Sequence, residues 1–130
     1  MVLLWSLVLG AWCFHKMPAK LSTHVLDLTA GRPAAGMGIQ LWRLGERPAR
    51  LRTVMTNADG RTDAPLLGAE EMAVGTYELV FDVKSYFAGR GVECVFLGDV
   101  PVRFAITNAG ASYHVPLLVT PWSYSTYRGS

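Results

Sequence analysis

Apolar and polar side chains alternate along most of this chain in short runs broken by glycine and proline, the pattern of strands half buried in a sheet. Leu21 to Asp27 is the first run, with Leu21, Thr23 and Val25 on one face and Ser22, His24 and Leu26 on the other. The turn Thr29-Ala30-Gly31-Arg32-Pro33 ends it. Met37 to Leu44 and Arg50 to Met55 supply a second and a third strand, with Gly45 and Pro48 between them. Thr56-Asn57-Ala58-Asp59-Gly60 follows, and its Asp-Gly pair predicts a tight turn because both residues tolerate positive φ. Arg61 is the first side chain out of that turn. Residues 62 to 74 contain Pro65, Gly68 and a short acidic turn at Glu70-Glu71, and read as a less ordered connection.

Thr76 to Phe81 returns to strand. Asp82 can cap a short helix through Val83-Lys84-Ser85-Tyr86-Phe87-Ala88, stopped by Gly89 or Gly91. Val100 to Thr107, Ser112 to Thr120 and Ser123 to Tyr127 complete the set, and no internal repeat interrupts it. In the run from Ser112, the residues Tyr113, Val115, Leu117 and Val119 face the core; Ser112, His114, Pro116, Leu118 and Thr120 share the opposite face. That second face is too apolar for open surface and fits an oligomer interface or the wall of a site. Seven or so short strands with a single helix predict an all-β sandwich.

Composition narrows the class. At 130 residues, 51% hydrophobic and 17% charged, the chain is too apolar for disorder and long enough for one core. A net charge of +2 gives no electrostatic case for nucleic acid; Arg43, Arg47, Arg50 and Arg52 lack interleaved aromatic platforms and read as a solvated face. Val2 to Phe14 is nearly continuous apolar sequence, too short to span a membrane. It reads as a signal-like segment without the usual basic start, or as sequence upstream of a true start at Met17. The chain therefore divides into an apolar segment 1–16 and a single domain 17–130. The compartment follows from that choice: export with a signal, cytoplasm with a start at Met17. Cys13 and Cys94 fall in unrelated contexts that form neither a disulfide framework nor a metal knuckle, and Cys94 is expected to be a buried or half-buried thiol.

Four places can carry chemistry. His24 points away from the Thr23 and Val25 face, so it is either an incidental strand histidine or a base. His114 sits on the apolar outer face as a passenger on an edge strand or as part of a site wall. Arg61, fixed just after a tight turn, is a solvated charge or a fork of donors for a flat, oxygen-rich substrate. Tyr127-Arg128-Gly129-Ser130 is a polar tetrapeptide following an apolar strand, which reads as a segment held inside a site. A metal bound by His24 and His114 would lack third and fourth ligands, so neither metal nor cofactor is expected.

Leu21-Ser22-Thr23-His24-Val25-Leu26-Asp27, Asn57-Ala58-Asp59-Gly60-Arg61, Tyr113-His114-Val115-Pro116-Leu117-Leu118 and Tyr127-Arg128-Gly129-Ser130 occur in order, with Asp82-Val83-Lys84-Ser85-Tyr86-Phe87 between. Together they resemble the 5-hydroxyisourate hydrolases, which share the transthyretin fold, over roughly residues 20 to 130. The resemblance implies a transthyretin-like two-sheet antiparallel sandwich with one short helix. It also implies a homotetramer with sites where dimers meet, and metal-independent hydrolysis of 5-hydroxyisourate to 2-oxo-4-hydroxy-4-carboxy-5-ureidoimidazoline in urate degradation. Carried over residue by residue, His24, Arg61, His114 and Ser130 are the catalytic set, and Tyr127, Arg128 and Gly129 join His24, Arg61 and His114 in holding substrate. Which histidine is the base is left open. Ser112, Trp122 and Ser123 depart from the family's usual histidine, tyrosine and glycine. The competing class is a tetrameric carrier of small aromatic ligands on the same fold, which predicts an apolar channel instead of this polar one.

Overall fold

Burial follows the period-two alternation closely: from Leu21 to Asp27 every odd-numbered side chain is buried and every even-numbered one is partly exposed. The computed structural model describes residues 18–129. The expectations for segment 1–16, Met17, Cys13 and Ser130 lie outside the described residues. Among the described residues the strands are β1 (Leu21–Ser22), β2 (Val25–Asp27), β3 (Arg32–Pro33), β4 (Gly38–Leu44), β5 (Ala49–Met55), β6 (Gly75–Asp82), β7 (Asp99–Ile106), β8 (Tyr113–His114), β9 (Leu117–Val119) and β10 (Tyr124–Thr126). One helix, α1 (Val83–Ala88), lies between β6 and β7. None of these elements is a helix long and apolar enough to cross a membrane.

One sheet has the order β5-β4-β6-β7 and is antiparallel throughout. The other runs β10-β9-β2-β3, extended by the pair β1-β8. Ile39, Leu41, Tyr77, Leu79, Phe81, Val100 and Ile106 from the first meet Leu21, Val25, Leu117 and Val119 from the second in a single buried cluster. Apolar burial at roughly 25 cal/mol per Å² makes that cluster the main source of stability.

The sandwich departs from the expected one in strand sense. β1 pairs with β8, and β2 with β9, in parallel, with Leu21 opposite Tyr113 and Val25 opposite Leu117. Parallel neighbours need a long crossover, and here the whole β3-to-β7 portion of the chain supplies it. Each of the two long runs is also cut in two. Pro116 has no N–H for the ladder, so β8 stops before it and β9 starts after it. Opposite that break the Thr23 hydroxyl donates to the Val115 carbonyl at 2.7 Å. Pro116, expected on the outer face, is buried, and its carbonyl accepts a 2.7 Å bond from the Thr126 hydroxyl.

Two smaller differences have local causes. Arg32 and Pro33, expected within a turn, form the edge strand β3, a position where proline's missing N–H is harmless. The connection at 62 to 74 is tied to the core: Leu66 and Leu67 are buried, and Leu21 N–H donates to the Leu67 carbonyl at 3.0 Å. Its acidic turn closes through Glu71 N–H to Gly68 O at 2.9 Å, and Glu71 pairs with Arg52. The helix keeps to expectation: Asp82 caps it, and of the two glycines that could stop it Gly91, φ +69°, is left-handed while Gly89 stays helical.

The helix is fastened to the far sheet by a buried polar contact. Asp27 is 2% exposed and accepts from Thr29 N–H at 2.9 Å, Ala30 N–H at 3.0 Å and the Tyr86 hydroxyl at 2.8 Å. Burial, and then the bond and charge of Asp27, push the Tyr86 phenol up to about 12. Removing that donor leaves a buried carboxylate oxygen short of a partner. Tyr86→Phe is therefore expected to lower unfolding free energy by about 1 to 3 kcal/mol in urea titration, without loss of the sheet signal in circular dichroism.

Candidate active site

The site begins with the parallel ladder. Tyr113, Val115 and Leu117 N–H groups donate to the Lys20, Ser22 and His24 carbonyls, each at 2.9 Å, which sets the two histidine-bearing strands in register. Because side chains alternate, His24 and His114 both leave the ladder on the side away from the core. Ser22 stands directly opposite His114, and its Oγ lies 2.9 Å from Nδ1 of that ring.

The turn at 57 to 61 supplies the next component. Asn57 Oδ1 accepts from Asp59 N–H at 2.9 Å and Arg61 N–H at 3.2 Å, while Asn57 N–H donates to the Arg61 carbonyl at 2.7 Å. Gly60, φ +73°, lets the turn dock on β2: a Cβ there would fall 2.4 Å from the Val25 carbonyl, and Val25 N–H donates to the Gly60 carbonyl at 2.8 Å. Docking puts the Asp59 carbonyl 2.8 Å from His24 Nε2. A carbonyl only accepts, so Nε2 carries the proton and neutral His24 keeps its lone pair on Nδ1. Arg61 emerges at the rim of a cleft of about 190 Å³ that Lys20, Ser22 and Asp63 also line.

Electrostatics ties these groups together. The His114 imidazole is held below its ordinary value of 6.5, first by burial and then by the charges of Arg61, His24 and Lys20. His114 is therefore neutral at physiological pH. Gly129 closes the other side: its N–H donates to the His114 carbonyl at 2.7 Å, and a Cβ there would lie 2.5 Å from the ring's Cδ2.

Not every expected residue gathers at this point. Alternation sends Arg128 to the face opposite Gly129's contact, where its guanidinium lies 4.3 Å over the Tyr113 ring and bonds the Ser112 carbonyl at 3.2 Å. Tyr127 and Arg128 line a separate apolar cavity of about 230 Å³ with Phe104, Tyr113 and Val115. Ser130 lies outside the described residues. Ser112 spends its hydroxyl on the Lys20 N–H, 3.1 Å away, and Trp122 is exposed and stacked on Phe96, so neither departure alters the core. Ser22 and Lys20 were not singled out from the sequence, although both share the face of His24 at period two. Among the described residues no group of three or more His, Cys, Asp or Glu is placed to hold a metal.

The sequence model of the HIUase/Transthyretin family matches residues 21–129. The chain belongs to that family. It is 53% identical over 115 residues to 5-hydroxyisourate hydrolase 2 of Rhizobium meliloti (strain 1021), covering 85% of this chain and 96% of the relative. Among solved structures it is similar to an (S)-allantoin synthase, with TM-score 0.81 and 46% identity over 86% of this chain and 44% of that one. The chain thus spans less than half of the synthase. Sea bream transthyretin in complex with thyroxine matches with TM-score 0.79 and 25% identity, over 85% of this chain and 95% of that one. The HIUase/Transthyretin fold is thereby established, with one short helix among the described residues.

Two outcomes follow from the site's geometry. Arg61→Gln is expected to raise the His114 pKa, since loss of a neighbouring positive charge eases protonation; an NMR titration of the ring protons measures it, and an unchanged midpoint contradicts the arrangement. Gly129→Ala is expected to expel the segment from beside His114, so that the residue 129 amide exchanges with solvent much faster than in the wild type.

Proposed function

We propose that this chain hydrolyses 5-hydroxyisourate, the unstable product of urate oxidation, to 2-oxo-4-hydroxy-4-carboxy-5-ureidoimidazoline. The observation that carries the reading is the His24, Arg61 and His114 cluster on one outer face, in a chain whose curated relatives are hydrolases of this name. His24 is the base: with Nε2–H engaged by the Asp59 carbonyl, its Nδ1 lone pair accepts a proton from the attacking water. The water oxygen bonds to the ring carbonyl carbon, whose π electrons move onto oxygen. Arg61 holds the ring oxygens and stabilises that developing charge. Collapse then breaks the ring C–N bond, and the proton held by His24 passes to the departing nitrogen.

Gly129 packs on His114 and walls the site, and Ser130, next in sequence, completes the substrate pocket in the assembled protein, while Tyr127 and Arg128 line the neighbouring apolar cavity. That assembly is a homotetramer with the histidine face at the contact between dimers. Leu118, apolar yet partly exposed on the strand that follows His114, supports an interface there. The reaction uses no metal and no cofactor. A carrier of small aromatic ligands is the second reading, favoured by the match to a transthyretin that binds thyroxine. The cationic groups around His114 argue against it, because such a ligand calls for an apolar channel.

The decisive assay follows the ultraviolet absorbance of freshly generated 5-hydroxyisourate. The wild-type protein is expected to speed its decay, and His24→Ala, Arg61→Ala, His114→Ala and a chain truncated before Tyr127 each to lose at least ~10²-fold of that rate. No acceleration by an intact oligomer would leave the carrier reading in place.

A further inference from the structure

We infer that Ser22 is a positioning residue: its hydroxyl donates to His114 Nδ1 and so holds that imidazole in the tautomer protonated at Nε2, a neutral donor to the developing oxyanion. The inference rests on the hydrolase reading and extends it to a residue outside the catalytic set named above. Ser22 and His114 are register partners 92 positions apart in sequence, and their 2.9 Å contact joins side chain to side chain across the β1-β8 pair. A serine hydroxyl either donates or accepts at that distance, so the surroundings decide.

Those surroundings disfavour a base at His114. The ring is half buried, and the charged or titratable groups around it are Arg61, His24 and Lys20, with Arg128 over the neighbouring Tyr113. Accepting a proton there would create another cation among cations. Donating one hydrogen bond while staying neutral uses the same field to advantage, because positive surroundings stabilise the oxyanion receiving it. His24 has the complementary arrangement, with its N–H occupied by a carbonyl and a lone pair exposed. The two rings therefore divide the work. His24 accepts the water proton; His114 keeps its own proton and donates a hydrogen bond. For neutral His114 to donate from Nε2, Nδ1 must accept, and Ser22 is the donor at that atom.

The test combines imidazole nitrogen NMR with kinetics on the full chain. In the wild-type spectrum neutral His114 should carry its proton on Nε2. Ser22→Ala should populate both tautomers, raise the His114 pKa by removing a bond to the neutral form, and lower kcat about 10- to 100-fold with little change in KM. Ser22→Thr, which keeps a hydroxyl, should restore both the tautomer and most of kcat. A wild-type ring protonated at Nδ1, or a Ser22→Ala protein with full kcat, overturns the inference. Because the wild-type tautomer is read without turnover, failure here is separable from a protein that does not hydrolyse 5-hydroxyisourate at all.

Discussion

The parallel ladder between the first strand and the penultimate one is the contact on which the site depends. Three 2.9 Å hydrogen bonds from Tyr113, Val115 and Leu117 to the carbonyls of Lys20, Ser22 and His24 fix the register. A slip of one residue would turn His114 into the core and Tyr113 out of it, since side chains alternate strictly along a strand. The core enforces the observed choice. Leu21, Val25, Leu117 and Val119 are all fully buried, and a slip by one residue would turn one strand's pair out of the core. Hydrophobic burial thus selects the pairing, and the pairing places the histidines.

The turn at 57 to 61 is the second constraint, and it acts through backbone atoms. Its Asp59 side chain is not what meets His24; the carbonyl is. That choice matters chemically, because a carbonyl dictates which nitrogen bears the proton while adding no full negative charge beside the site. The field around His114 stays positive as a result, with Arg61 contributing from the same turn. One glycine makes this possible, since any Cβ at Gly60 would collide with the Val25 carbonyl. Structural and chemical demands therefore meet in a five-residue loop.

The same sandwich serves a thyroxine-binding transthyretin, whose backbone matches with TM-score 0.79 at 25% identity. Fold alone is accordingly silent about catalysis. What differs between such proteins is the side chains that a shared register displays on one face. Here that face carries Lys20, Ser22, His24 and His114. Tyr127 and Arg128 belong to a different surface, an apolar cavity lined by Phe104 and Val115.

By itself the sequence determined the local matters: which side chains of Leu21 to Asp27 face inward, the tight turn before Arg61, the helix capped by Asp82, and one all-β core. These follow from period-two alternation and from the torsional preferences of a few residues, which act over a handful of bonds. Through family resemblance it also named His24, Arg61 and His114. Tertiary structure alone decided the parallel sense of the pairing, the break at Pro116, the burial of Leu66 and Leu67, and the separation of Arg128 from Gly129's contact with His114. It alone gave His24 a defined tautomer and His114 its partner in Ser22. The reason is one of range: alternation sets a side chain's face, but the atom opposite it is chosen by hydrogen bonds between segments some ninety residues apart, and no local pattern encodes those.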